Sequence, residues 1–568
     1  MSDFLEFRDA QCRDCYKCLR ECPVKAIDVK NHQAKIIEDR CILCGHCTLA
    51  CPQNAKVVHS ELDDVKRLLE SGQKVIASVA PSFISSFGLK DFTIFKIALA
   101  KLGFADAEET AVGAQAVIKE YKRLLETGEF ENFITSSCPA ACRMIQEYYP
   151  KALKYLAPVD SPMVAHAKLI RKRDPEAKIV FIGPCIAKKR EAVECTLIEN
   201  VLTFEDLQLF FKERGIKLEE ISELHLDKKG GAANLAKSFP INHGIINSFD
   251  TLPKGYEYIS VDGPERCSEA LENIGFLSHV FLEINICENA CVAGPCSLQV
   301  KGGSVKAMSE IRKYVRRERE LFPSIDDTPL EVNLFASYPR IRSHSIVAPE
   351  RDIEAILHRT GKMTRSDELN CGACGYSTCR DKAWAVYNGY ADVEICLPYM
   401  RQRAESLSYE IIQKSQEGVI VLDADMNIVE VNNKAKELLA IDAVDVKGRP
   451  ALDYFKPIDF MNAYSQKRHV MVKDMFIPST MKHVDISINY LEGQDMLFGV
   501  LKDVTDIIHY DKEIMKVKME TLATTDEVIK KQMRVAQEIA SLLGETTAET
   551  KVALLKLKKT LTSDQNGQ

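Results

Sequence analysis

Cys12-Arg13-Asp14-Cys15-Tyr16-Lys17-Cys18-Leu19-Arg20-Glu21-Cys22-Pro23 recurs in pattern as Cys41-Ile42-Leu43-Cys44-Gly45-His46-Cys47-Thr48-Leu49-Ala50-Cys51-Pro52. Each run is C-x2-C-x2-C-x3-C-P, the spacing of paired iron–sulfur cubanes. Three thiolates on one short loop grip three irons, and the fourth reaches across to the other cluster. The predicted ligand sets are therefore Cys12, Cys15, Cys18 with Cys51, and Cys41, Cys44, Cys47 with Cys22. Structural zinc, the plainer reading, needs only four thiolates per site and leaves the duplicated Cys-Pro unexplained.

The spacing predicts a two-cluster ferredoxin-like module over residues 1–60. All twenty cysteines lie between Cys12 and Cys396, so the last third of the chain has none. Tight C-x-x-C runs in so long a chain point to metal rather than disulfides. At 568 residues the chain exceeds one core and is expected to form three to five domains. Its net charge of -7 carries no nucleic-acid footprint. No apolar run reaches the ~18 residues of a membrane span, and Met1-Ser2-Asp3-Phe4 lacks the basic and apolar regions of a secretory signal. A cytoplasmic protein without membrane contact is expected.

Beyond Glu61, apolar runs such as Val75–Val79 and Ile179–Ile182 alternate with helical patterns, which predicts an α/β architecture with parallel sheet. The cysteines here are sparse and follow strand-like runs. Cys138 stands in Thr135-Ser136-Ser137-Cys138-Pro139, and Cys185 in Gly183-Pro184-Cys185-Ile186-Ala187-Lys188-Lys189. Cys287 and Cys291 stand in Glu283-Ile284-Asn285-Ile286-Cys287-Glu288-Asn289-Ala290-Cys291. A lone cysteine is commonly a buried hydrophobe. Four thiols at strand ends can instead meet at one sheet edge, where α/β proteins place their sites, though spacing alone does not show that they do.

These three stretches resemble, in order, the T-S-C-C-P, M-P-C-x-x-K-K-x-E and E-x-M-A-C-x-x-x-C signatures of the [FeFe]-hydrogenase family. The resemblance covers roughly the first 400 residues. It implies that Cys138, Cys185, Cys287 and Cys291 hold the cubane of an H-cluster, with Cys291 bridging to a two-iron subcluster of CO, cyanide and dithiolate ligands. Ala80-Pro81-Ser82 matches the family's A-P-[AS] strand end lining that subsite. Lys188 matches the lysine that meets a cyanide, a role an ammonium suits; a solvated lysine beside Lys189 and Arg190 is the alternative.

The departures carry information too. Ser137 stands where the family has its proton-relay cysteine. A thiol of pKa near ~8.5 both accepts and donates protons near neutrality, whereas a serine hydroxyl is a poor relay. Gly183 and Asn285 replace two methionines, and Gly294-Pro295-Cys296 replaces a glycine triplet, leaving an extra thiol close in sequence to Cys291.

Cys371-Gly372-Ala373-Cys374, Cys379 and Cys396 form C-x2-C-x4-C-x16-C, which resembles the four-cysteine cubane domain of corrinoid iron–sulfur proteins and of membrane electron-transport proteins. Past Arg401, a helix over Ser406–Ser415 precedes a strand and turn over 418–425, a second strand at 428–433 and a helix over 434–439; alternating strands follow at 484–488 and 497–506, closing on an acidic turn. The G-V-I-V-x-D…V-x-x-N-x-x-A opening and D-V-T-D close resemble a PAS domain. The absence of cysteine excludes a flavin–cysteinyl photoreceptor, and His469, His483 and His509 are expected as ordinary surface or core residues rather than haem ligands. From about Asp511 a charged helix carries an apolar stripe through Ile514, Val517, Val528, Val535, Ile539, Leu542 and Leu543. Gly544 is expected to break it, with Thr546–Thr550 capping a second helix. The stripe calls for a homodimer or another partner. No histidine follows His509, so a histidine-kinase output within this chain is excluded.

The expected architecture is thus α/β and multidomain. Residues 1–60 form the ferredoxin-like module, 61–345 the H-cluster domain and 346–405 the four-cysteine [4Fe-4S] domain. Residues 406–510 form an α+β PAS domain and 511–568 a helical output segment. By resemblance the chain is a sensory [FeFe]-hydrogenase holding three [4Fe-4S] clusters plus the H-cluster, with an unassigned PAS ligand. It would react slowly with H2 and protons and exchange electrons with ferredoxin or another redox partner. Through its helical tail it would address a kinase or phosphatase. The rivals are a metabolic ferredoxin-linked hydrogenase and a non-catalytic electron-transfer or cluster-assembly protein lacking the two-iron site. An electron-bifurcating role lacks support, because no flavin or nicotinamide motif is present.

Overall fold

The computed structural model describes residues 4–8, 11–30, 33–221, 235–321, 332–342, 346–441, 446–543 and 547–563. The chain divides into two compact units, Met1–Met400 and Arg401–Gln568.

In the first unit, the duplicated cysteine loops each run into a short helix, Lys17–Glu21 and His46–Ala50. Strand Leu5–Phe7 pairs antiparallel with Lys56–Val58, and Ile27–Lys30 pairs with Gln33–Ile36. The α/β part carries two parallel sheets. One has the order Asp106–Glu109, Val75–Val79, Lys178–Gly183, Asn200–Thr203. The other has Glu257–Asp262, Val280–Asn285, Phe133–Ile134. Val75–Val79 and Val280–Asn285 are buried throughout, as strands covered by helices on both faces must be.

Asp106-Ala107-Glu108-Glu109 has almost no apolar content and gives no strand signal in the sequence. It forms the sheet edge, and its charges find partners there: Asp106 pairs with Lys96 at 2.6 Å, and Glu108 meets His166 at 3.3 Å and Arg173. His166 reaches on through Nδ1 to the Ser78 hydroxyl at 2.8 Å, and Ser78 meets Thr110 at 2.8 Å. This buried chain ties the end of the Val75–Val79 strand to helices Ala111–Thr127 and Pro162–Arg173. The two helices cross where Gly113 sits: a Cβ there would lie 2.2 Å from the Pro162 carbonyl oxygen and 2.6 Å from the His166 nitrogen.

The cysteine-rich C-terminal part of this unit contains helices Glu350–Arg359 and Cys379–Tyr387. Arg40 of the ferredoxin-like module lies over the rings of Trp384, at 5.8 Å, and Tyr390, at 4.6 Å. That stacking holds the two cysteine-rich parts together.

The second unit is a five-stranded antiparallel sheet in the order Ile428–Val431, Gly418–Leu422, Met496–Asp503, Lys482–Leu491, Val470–Ile477. Asn432 is fully buried with every amide position used. Its Oδ1 accepts from Val419 and Ala435 nitrogens, and its Nδ2 donates to the Ile412 and Glu417 carbonyls, which knits the preceding helix to the sheet. Three expectations shift. The helix expected at Ser406–Ser415 runs Leu397–Lys414, the Asn433–Leu439 helix starts one residue early, and the long helix starts at Thr505 rather than about Asp511. The last start is set by Asp503, whose carboxylate accepts the Thr505 N–H at 3.1 Å. Gly544 and Thr546 lie outside the described residues, as do the side chains of Leu542, Leu543 and 547–549; the second helix runs Thr547–Ser563. His469 and His509 are exposed and His483 is half-buried against Asp474.

Gly113→Ala is expected to destabilise the α/β part by about 1–3 kcal/mol, because backbone rather than a flexible side chain must give way. Denaturant unfolding followed by far-UV circular dichroism measures it; an unchanged midpoint would contradict the close crossing.

Candidate metal-cluster site

Parallel strands end at one edge, and here the ends of four strands deliver the site. Val75–Val79 leads into Ala80-Pro81-Ser82, and Phe133–Ile134 into Thr135–Cys138. Lys178–Gly183 leads into Pro184-Cys185, and Val280–Asn285 into Ile286-Cys287; a 3-10 turn over Ala290–Ala293 then presents Cys291. All four cysteines, with Ala80, Pro81, Ser82, Ser137 and Lys188, line one cavity of about 950 Å³. The convergence that spacing left open is therefore present.

The cavity is mostly apolar, and that decides its chemistry. Burial pushes the Cys185 thiol up to about 11 and the Cys287 and Cys291 thiols higher still. Bare thiolates are disfavoured here, and a metal cation bound to them would supply the missing positive charge. Lys188 is buried and donates to the Ser161 hydroxyl at 2.9 Å and to Glu191 at 2.6 Å. Burial works against its charge, but Glu191 holds the ammonium above its ordinary value. Lys189, its neighbour, is structural: it donates to Glu61 and to the Val201 carbonyl.

Two buried polar atoms on the cavity wall have no protein partner, Ser82 Oγ and Asn285 Nδ2. Buried polar groups are seldom left so, and their position suits a polar, ligand-bearing metal group. Gly183 leaves room that the Phe181 ring takes, with ring atoms 2.7 and 2.8 Å from where a Cβ would stand. Ser137 faces a hydroxyl chain. Its Oγ is 3.2 Å from the Tyr121 hydroxyl, which bonds Ser136, and Ser136 donates to the Val159 carbonyl. Burial pushes Tyr121 up to about 12.

The two ferredoxin-like sets also converge. Cys12, Cys15, Cys18 and Cys51 line one small cavity of about 420 Å³; Cys22, Cys41, Cys44 and Cys47 line another of about 340 Å³. Cys44 and Leu43 line the large cavity as well, so the second set stands next to it. Gly45 makes that approach workable. Its φ is +75°, and a Cβ would fall 2.5 Å from Pro295 and 2.9 Å from Ile186. Among the described residues no three His, Cys, Asp or Glu side chains stand close enough to hold a single metal ion.

In the four-cysteine segment, Cys371 and Cys396 both act on the Cys374 thiol, which burial pushes up. Lys362 Nζ donates to Cys396 Sγ at 3.4 Å, and Cys379 opens helix Cys379–Tyr387 behind a Thr378–Asp381 capping box. The remaining cysteines have local partners: Cys142 donates to Ser136, Cys195 to Ala192 and Cys267 to Asn285 carbonyls. Cys296, near Cys291 in sequence, is fully buried in the core and is absent from the cavity wall. Tyr121 and Ser161 gave no signal as site residues, since tertiary contact brings them to the cavity. Glu191 stands at the glutamate of the K-K-x-E signature, one helical turn from Lys188, and Phe181 lies in the strand-like run before Gly183.

Residues 73–295 match the family model of the C-terminal domain of the iron-only hydrogenase large subunit. Residues 5–66 match a 4Fe-4S dicluster domain, 367–398 an Fe-S cluster segment, and 408–482 a PAS fold. Among curated proteins, the chain is 28% identical over 315 residues to the periplasmic [Fe] hydrogenase large subunit of Nitratidesulfovibrio vulgaris, with 48% of this chain and 75% of that one covered. It is 28% identical over 277 residues to iron hydrogenase 1 of Clostridium pasteurianum, with 36% of this chain and 48% of that one covered. A solved [FeFe]-hydrogenase from Chlamydomonas reinhardtii aligns at 19% identity and TM-score 0.39, over 50% of this chain and 99% of that one. No helix among the described residues is long and apolar enough to cross a membrane.

The crossed ligand sets make a direct prediction. Cys51→Ser is expected to perturb the cluster held by Cys12, Cys15 and Cys18 while leaving its neighbour's signal unchanged, and Cys22→Ser the reverse. Electron paramagnetic resonance of the dithionite-reduced variants reads this; equal loss of both signals in each would contradict the crossing.

Proposed function

For a chain that carries the C-terminal domain of an iron-only hydrogenase beside dicluster, Fe–S and PAS domains, we propose the role of a slow, H2-responsive hydrogenase of sensory type. When bound, the H-cluster would supply reversible heterolytic cleavage of H2 into a proton and electrons. Cys138, Cys185, Cys287 and Cys291 would hold its cubane. Lys188 would offer its ammonium to an anionic diatomic ligand, kept in place by Ser161 and Glu191. Ala80, Pro81 and Phe181 would keep water out.

The observation that carries slow turnover is Ser137. A relay needs a group that changes protonation near neutral pH, and neither the Ser137 hydroxyl nor the Tyr121 phenol, held up to about 12, is one. Beyond them the chain ends at the Val159 carbonyl, which only accepts. Protons released in the cavity have no titratable exit along this line, which suits a detector better than a fuel enzyme.

The other thiol sets, Cys12, Cys15, Cys18 with Cys51, Cys41, Cys44, Cys47 with Cys22, and Cys371, Cys374, Cys379 with Cys396, would hold three further [4Fe-4S] clusters. Electrons would leave through them to ferredoxin or another redox partner. The PAS domain and helical tail would pass the state to a separate kinase or phosphatase. The free cysteines suit a reducing, cytoplasmic setting.

Dye-coupled H2 oxidation by protein matured with the hydrogenase maturases tests the reading. Low turnover is expected, rising on the order of 10²-fold in Ser137→Cys, the typical worth of a positioned acid–base group. A wild-type rate equal to that of fast metabolic hydrogenases, or no gain in Ser137→Cys, would contradict it.

A further inference from the structure

Asn285 is the last residue of the Val280–Asn285 strand and stands two residues before Cys287 in the chain. It is 4% exposed and its Nδ2 has no protein partner, although its side chain lines the cluster cavity. An unpaired buried amide donor is costly, so a folded chain keeps one where something else accepts from it. The sulfur of a methionine at this position would accept weakly and donate nothing. We infer that Asn285 Nδ2 is a hydrogen-bond donor to a diatomic ligand of the two-iron group, and so a positioning residue. The inference rests on the hydrogenase reading above.

The donor has an electronic consequence. A hydrogen bond to an iron-bound cyanide or CO draws electron density from the metal and weakens its back-donation into the remaining CO ligands. Their stretching frequencies rise. Ser82 Oγ, the other unpartnered atom of the wall, and the Lys188 ammonium act in the same sense. With three donors lining the cavity, the iron would be held poorer in electrons than a methionine at this position would leave it.

Infrared spectra of the matured full-length protein test this without an activity assay. Asn285→Leu and Asn285→Met are each expected to move the terminal CO bands to lower wavenumber, with the cubane signals in electron paramagnetic resonance unchanged. CO and cyanide bands that stay in place in both variants would overturn the inference while leaving the hydrogenase reading intact. No such bands in the wild type, despite loaded cubanes, would overturn both.

A second inference comes from the other unit and needs no cluster. In helix Thr505–Leu543, the C-terminal half packs on helix Thr547–Ser563 through half-buried Leu522, Ile529 and Met533, with Asp526 paired to Lys558 at 3.2 Å. Residues 511–521 are exposed on every side. Such a helix is marginal in water unless its apolar stripe is covered. The uncovered stripe keeps a strict heptad: Ile507, Ile514, Thr521 and Val528 at a, with Tyr510, Val517 and Thr524 at d. It lies apart from the face used by the second helix. β-Branched residues stand at every a position, and the choice of two parallel strands rests on the charge match below.

We propose that this face pairs with the same helix of a second copy, in register, over residues 507–528. In that register Glu513 at g faces Lys518 at e of the second copy. Glu520 and Glu527 face neutral Thr525 and Gln532; the single like-charge match, Asp506 with Asp511, falls in the first turn. Sedimentation of the full chain is expected to show a dimer. Lys518→Glu should weaken it about tenfold, from two pairs turned repulsive, and Glu513→Lys added to it should restore it. Ile514→Asp with Val517→Asp should give monomer. A monomeric wild type, or a dimer indifferent to these changes, would overturn the proposal.

Discussion

The burial of thiols at the ends of parallel strands is the constraint on which the first unit turns, because a thiolate in an apolar wall is stable only against a cation. Cys138, Cys185, Cys287 and Cys291 come from three strand ends and a following turn, drawn from two sheets. Their placement demands that both sheets end at one cavity. The Ser78–His166–Glu108 chain fixes one sheet's contribution, and Thr135 Oγ1, accepting the Ile284 N–H at 3.2 Å, ties two strands of the other. The ferredoxin-like module is fitted to the same point by Gly45.

The wall combines two chemistries: thiols suited to a cubane, and the donors Lys188, Ser82 and Asn285, with Ser137, whose hydroxyl is committed to Tyr121. On the reading proposed above, such donors would polarise a ligand while Ser137 carries no proton, so the site would bind and respond with little flux.

Much of this was legible in the sequence where the signal is local. Cluster ligands come from short loops whose spacing is fixed by the size of the cluster, so both crossed sets could be written down from Cys12 to Pro52. The converging quartet was legible only through resemblance, because nothing local states that four strand ends meet. Edge strand Asp106–Glu109 was missed because its acidic side chains are matched by Lys96 and Arg173 rather than by a core. Strand Val470–Ile477 was missed because a register shift between Val472 and Met475, with Asp474 at φ +53°, breaks its alternation. Cys296, left without a role by the sequence, lies five residues from Cys291 and turns into the core instead of the cavity.

The central claim is that the cavity holds a hydrogen-reactive two-iron group. Infrared difference spectra of the matured wild-type protein, cycled between argon and H2, test it most directly. The account predicts CO and cyanide bands that change under H2 and return under argon. Bands indifferent to H2, or none in protein whose cubanes are fully loaded, would contradict it.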